Sequence, residues 1–290
     1  MPYPILDREE YIEQAYFFRV YRERLDQNIP AQEILASVHE EVLSTTRLPM
    51  AIEFLKGEVL LNGRIGEAMQ RLPHYFTPFQ SFIMSKADEE RSRFDQKTAL
   101  EVLEREAEYR ANSPTPSGLF VYQFECLSRN RLGYDRGMLA MAEDPLYDSH
   151  WSAWIRRARL QLGAIDFADL IYYRSEQYVL EQRRQRRDPD FQPPQPILFG
   201  AKEGRIARAN RGKDPLFMFA ALQRQLGYPA VPRIARSTLD ERLSPAALAA
   251  RIMQLEKRVS LIDAELKGNL DLSQYYAKPE NPTPDEPPAS

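Results

Sequence analysis

Apolar residues recur along this chain at intervals of three and four and rarely at intervals of two, a pattern that predicts helices almost end to end. Tyr11, Ala15, Phe18, Tyr21 and Leu25 keep one face of a first helix apolar, behind an Asp7-to-Glu10 spacing that suits a capped start. Pro30 opens a second helix bearing Ile34, Leu35, Val38 and Val42, and Leu48-Pro49 opens a third that runs to Asn62-Gly63. A short helix ends at Leu72-Pro73, Thr77-Pro78 caps another, and a charged helix runs from about Phe94 to Arg110. Breakers then crowd into residues 112–118. They mark the end of an N-terminal helical bundle, residues 1–111, expected to fold alone with Phe18, Leu25, Ile34, Leu35, Val38, Leu55 and Phe76 in its core.

Helical spacing resumes over 119–131 and 148–162. The stretch 166–180 fits helix or strand, and its continuation into 181–187 favours a helix that closes a second helical unit, 119–187. Four prolines within 188–196 predict an extended linker, followed by a basic helical segment to residue 236. Within it, Asp214-Pro215 starts a helix that Gly227-Tyr228-Pro229 ends. Ser244-Pro245 repeats the start signal ahead of Leu248, Ile252, Leu255, Val259, Ile262 and Leu266, spaced as the a/d seam of a coiled-coil helix over 244–268. Arg251 and Arg258 at g face Glu256 and Asp263 at e, which predicts a parallel dimer through 245–267. A competing reading folds the same stripe back onto the chain's own second unit. Residues 277–290 carry five prolines and no large apolar residue, so this tail is expected to be disordered. The fold class expected is mainly α.

Charge changes this picture locally. The chain of 290 residues carries a net charge of −3, which excludes a globally basic nucleic-acid binder. Yet 183–236 holds ten arginines and two lysines against three aspartates and one glutamate. Arg205, Arg208, Arg211 and Lys213 are therefore candidates for docking an anionic partner such as nucleic acid or an acidic protein. The alternatives are a helix C-terminus complemented by Arg183, Arg184, Arg186 and Arg187, or carboxylates of the chain itself as partners. A single cysteine, an N-terminus unlike a secretory signal, and no apolar run of the roughly 18–20 residues that cross a bilayer point to a soluble, cytoplasmic protein.

Candidate chemistry is sparse. His39, His74 and His150 lie far apart, with no carboxylate or cysteine at metal-ligand spacing. Cys126 sits between Phe124 and Leu127 as a core residue would. Asp166, Asp169 and Glu176 form an acidic face of ordinary helical spacing, and Trp151, Trp154, Phe167, Tyr172, Tyr173 and Tyr178 read as core. No nucleophile, base and orienter assemble, and no Gly-rich phosphate loop is present. No catalytic, cofactor or metal residue is assigned, and an enzyme is not expected.

From Phe17 to Arg110 one further pattern emerges. Phe18-Arg19, Leu25, Asn28-Ile29-Pro30 and Ile34-Leu35 are followed by Gly63, Ile65, Glu67-Ala68-Met69, Pro73 and Phe76-Thr77-Pro78. In order and type these residues resemble the cytoplasmic helical domain of type II secretion system protein F and its type IV pilus counterparts. That family's Gly-Glu…Gly-Leu signature would fall on residues 88–94, where the glutamate is kept and both glycines are lost. Where the family continues into a membrane span, this chain has Ser113-Pro114-Thr115-Pro116. The resemblance implies a compact helix bundle and a place in a bacterial membrane-associated assembly. The function expected is a non-enzymatic, self-associating adaptor or scaffold with at least one protein partner besides itself. The alternative is an anionic-partner or nucleic-acid binder acting through 183–236.

Overall fold

Helix-start chemistry recurs along the chain in the computed structural model, which describes residues 4–89 and 93–234, with Met253 alone beyond them. Thirteen helices occur among the described residues. The first half contains α1 (Arg8–Asp26), α2 (Ala31–Glu41), α3 (Leu48–Asn62), α4 (Ile65–Gln70), α5 (Pro78–Ala87) and α6 (Gln96–Ala111). It is followed by α7 (Pro116–Asn130), α8 (Tyr134–Ala142), α9 (Ser149–Gln161), α10 (Phe167–Tyr172), α11 (Glu176–Arg186), α12 (Ala201–Ala209) and α13 (Pro215–Leu226). The expected all-helical fold is what these residues adopt.

Most boundaries follow local chemistry. Thr77 and Gln80 form a reciprocal capping box at α5, and Asp95, Thr115, Asp148 and Asp214 each accept a backbone N–H at the start of a helix. Gly63 closes α3 in the left-handed conformation, at φ 68°. Asp7 precedes α1 without a side-chain cap, and the Glu10 carboxylate accepts from the backbone N–H and Nε of Arg47 at 3.0 and 3.1 Å. The stretch 166–187 is two helices rather than one. Arg174 breaks it, since its carbonyl accepts the N–H groups of Leu198 and Phe199 at 2.8 and 3.1 Å, and Ser175 caps the next helix.

α1 packs along α6, and successive contacts run from α2 through α3 and α4 to α5. α5 meets both α6 and α8, which carries the packing into the second half. α7 is buried from Gly118 to Leu127 and touches α8 and α13. One apolar cluster extends from Leu6 to Val231, across the 112–118 segment expected to separate two domains. Phe18, Ile34, Leu35, Val38, Leu55 and Phe76 are buried in it, and Leu25 packs at its margin. Trp151, Trp154, Phe167 and Tyr172 are buried as well, with Phe167 stacked on Phe124 at 3.9 Å, whereas Tyr173 is exposed. The chain divides at Ile234, and the second unit, Ala235–Ser290, holds the heptads and the tail. Both lie outside the described residues, Met253 excepted.

A buried ionic network fastens the two halves. Arg110 on α6 donates to Glu106 at 2.7 Å and also pairs with Asp144 beyond α8. Gln123 on α7 donates to both carboxylates, at 2.9 and 3.3 Å, and accepts from the Tyr147 hydroxyl at 2.9 Å. Burial pushes the Glu106 carboxyl above its usual range, against the pull of Arg110. Among the described residues Glu106 Oε2 has no hydrogen-bond partner.

Candidate functional site

A cleft of about 460 Å³ opens between α5 and α8. Pro78, Ser81, Phe82 and Ser85 recur at helical spacing along α5, and Arg136, Leu139, Ala140 and the following Glu143 do so along α8. Two helix faces therefore form opposite walls, with Phe76 and Pro73 contributed by the turn before α5. Phe76 and Phe82 give apolar contacts, Gln70, Ser81 and Ser85 polar ones, and Lys86, Glu89, Arg136 and Glu143 supply charges of both signs. Lys86 pairs with Glu89 at 2.7 Å and sits 5.9 Å from the Phe82 ring. α4 closes in on α5 through Gly66, where an added Cβ would lie 2.4 Å from the Ser85 backbone nitrogen. Asp88 accepts the Gly66 N–H at 2.7 Å, and burial raises the Asp88 carboxyl against that bond. Such a channel can receive an apolar side chain or two from an elongated segment whose flanking charges meet its rim.

The basic candidates are placed differently from one another. Arg205 is exposed on α12 and reaches its own helix at the Ala201 carbonyl, 3.4 Å away. Arg208 pairs with Glu181, which also accepts from Tyr172 at 2.7 Å and Gln177 at 2.6 Å. Burial would raise the Glu181 carboxyl, but those donors and Arg208 together bring it below its usual range. The Tyr172 hydroxyl is pushed up to about 12 by burial and by Glu181. Arg211 lies past the end of α12, so it does not continue the stripe. It is 2.5 Å from Asp169, in a Coulombic contact whose angles are not those of a hydrogen bond, and rests 4.1 Å over the Tyr172 ring. Lys213 donates to the Ala209 carbonyl at 2.7 Å. Two of the four candidates are thus engaged by carboxylates of the chain, and among the described residues Arg205 and Lys213 meet none.

Arg183, Arg184, Arg186 and Arg187 stand at the end of α11, which packs against α12. None of them forms an ion pair within the described residues; Arg183 donates to the Phe191 carbonyl at 3.1 Å and Arg186 lies 4.5 Å over the Phe191 ring. The acidic residues 166, 169 and 176 serve local structure: Asp166 caps α10, Asp169 faces Arg211, and Glu176 accepts the Ala201 N–H at 3.2 Å.

His39 is half-buried beside Glu40, and His74 and His150 are exposed. Among the described residues no group of three or more His, Cys, Asp or Glu could hold a metal, and no helix is long and apolar enough to cross a membrane. Cys126 is buried in α7, and that burial pushes its thiol well up, which suits a packed residue rather than a nucleophile. The six heptad positions Leu248 to Leu266 lie outside the described residues.

The cleft was missed by sequence reasoning, which assigned no element to 132–147. Its signal was there in Arg136, Leu139, Ala140 and Glu143 at helical spacing, but only packing of α8 on α5 turns that face into a wall. Compared with protein-family models, curated proteins and solved structures, the chain matches none.

Proposed function

We propose that this protein is a non-enzymatic, self-associating adaptor that takes an elongated segment of a partner protein into the cleft between α5 and α8. The observation that carries this reading is the cleft itself, walled by two helix faces, with apolar and polar side chains along it and both signs of charge at its rim. Helical partners and extended peptides are bound in such grooves through anchors at helical or alternate spacing. Self-association rests on the heptad pattern of 248–266. The turn and packing residues that resemble the type II secretion F domain give the concrete version, a cytoplasmic component of a bacterial secretion- or pilus-type assembly.

Affinity capture of the full-length chain from its host tests this. Wild-type protein is expected to bring down a defined protein partner that Ala140→Arg, which places a long side chain in the cleft, loses without a change in melting temperature. Retention of every partner by Ala140→Arg contradicts the cleft.

A second reading, binding of an anionic partner through 183–236, is favoured by the arginines at the end of α11 that no carboxylate among the described residues engages. Purified protein with a high 260/280 nm absorbance ratio that falls in high salt would support it, because counterion release drives such binding.

A further inference from the structure

α3 is apolar on two opposite faces. Leu48, Ala51, Ile52, Leu55 and Val59 are buried against the core. On the other side Met50 is 70 % exposed, Phe54 37 %, Leu60 66 % and Leu61 78 %. At roughly 200 Å² for a fully exposed large side chain, this outer face leaves on the order of 500 Å² of apolar surface, the upper range for the largest patch on a monomer. Gly57 lies in its middle, and nothing stands within 4 Å of where a Cβ would be. A glycine inside a helix costs stability relative to alanine, and among the described residues no close approach calls for one here.

We propose that the outer face of α3 is a contact between two copies of this chain, paired antiparallel about a twofold axis. The positions Met50, Phe54, Gly57 and Leu61 step by four, three and four, a series that reads the same in both directions about the midpoint between Leu55 and Lys56. Antiparallel pairing about that point sets Met50 of one protomer against Leu61 of the other, and Phe54 against the bare backbone at Gly57. Each contact occurs twice, as an isologous interface requires. The Phe54 ring supplies the knob and Gly57 the hole, which gives the glycine a role that the single chain does not. The same axis sets Glu53 of one copy near Glu58 of the other, and each is paired within its own chain, Glu53 with Lys56 at 3.5 Å and Glu58 with Arg71 at 2.7 Å, which offsets their repulsion. Covering this face on both copies, Leu60 at its edge included, buries at most on the order of 1,000 Å², the lower bound for a specific interface.

This surface is separate from the α5–α8 cleft, so either can fail without the other. The test is sedimentation velocity of the full-length chain carrying Ile252→Asp and Val259→Asp, which removes any contribution of the heptads. In that background a dimer is expected to remain, and Phe54→Lys to convert it to a monomer with an unchanged circular-dichroism melt. Gly57→Ala is expected to raise the melting temperature of the protomer while weakening the dimer by about tenfold or more. A helix-stabilising substitution with no role at the contact would not produce that opposition. A monomer at every concentration in the heptad-substituted background overturns the proposal and leaves the face to another protein, as does a dimer indifferent to Phe54→Lys.

Discussion

Two carboxylates and one guanidinium are enclosed together at Glu106, Asp144 and Arg110, so the buried site is neutral only if it keeps a proton. Burial raises Glu106, so as pH rises the folded chain keeps a proton there after the unfolded chain has released its own. The resulting stabilisation is complete below the unfolded carboxyl's pKa of about 4.3 and declines as pH rises from there towards the higher folded value. Glu106→Gln, which keeps the shape and removes the titration, is expected to flatten that decline in urea melts recorded across pH 4 to 8. Asp144→Ala removes the partner that faces Arg110 across the halves and is expected to cost about 3–5 kcal/mol in the same melts, as for a broken buried pair. In the sequence, Glu106 and Arg110 four apart look like a surface pair on a charged helix. Their burial could not be read there, because it depends on Gln123, Asp144 and Tyr147, which packing brings in from well along the chain.

At the level of single helices, what was legible is what is local. Thr77-Pro78, Asp214-Pro215 and Gly63 each act through backbone groups within a few residues, and each ends or starts a helix as expected. The break at Arg174 was not legible, because the groups that divert its carbonyl are at Leu198 and Phe199. Nor was the outer face of α3, since its apolar residues and those facing the core merge into one hydrophobic run until packing shows which side is covered. Gly66 and Gly57 make the contrast measurable. At Gly66 a methyl group would meet the Ser85 backbone at 2.4 Å, so Gly66→Ala is expected to destabilise by about 1–3 kcal/mol, the usual cost of overpacking, in a thermal melt. At Gly57 the same change meets open space and is expected to stabilise the protomer.

Across the whole molecule, the breakers at 112–118 end α6 and start α7, while the apolar cluster continues from one half to the other. Tyr122 on α7 donates to the Val102 carbonyl of α6 at 2.7 Å, and Arg110 reaches Asp144. A fragment of residues 1–111 would leave Glu106 and Arg110 uncovered and α5 without α8. It is expected to melt without cooperativity by far-UV circular dichroism, whereas a chain ending after residue 234 is expected to melt in one transition; a cooperative melt of 1–111 would show that the halves are separable. The cleft belongs to this scale too, since α5 and α8 lie on opposite sides of the 112–118 segment and neither wall has meaning alone. The most direct measurement is photo-crosslinking in host cells with a benzophenone amino acid at Leu139, inside the cleft, and at Arg184, on the basic end of α11. A protein adduct of one defined mass from position 139, absent when Ala140→Arg is also present, is the expected result. No protein adduct from 139, with nucleic acid captured from 184, would contradict the adaptor reading and favour the anionic partner.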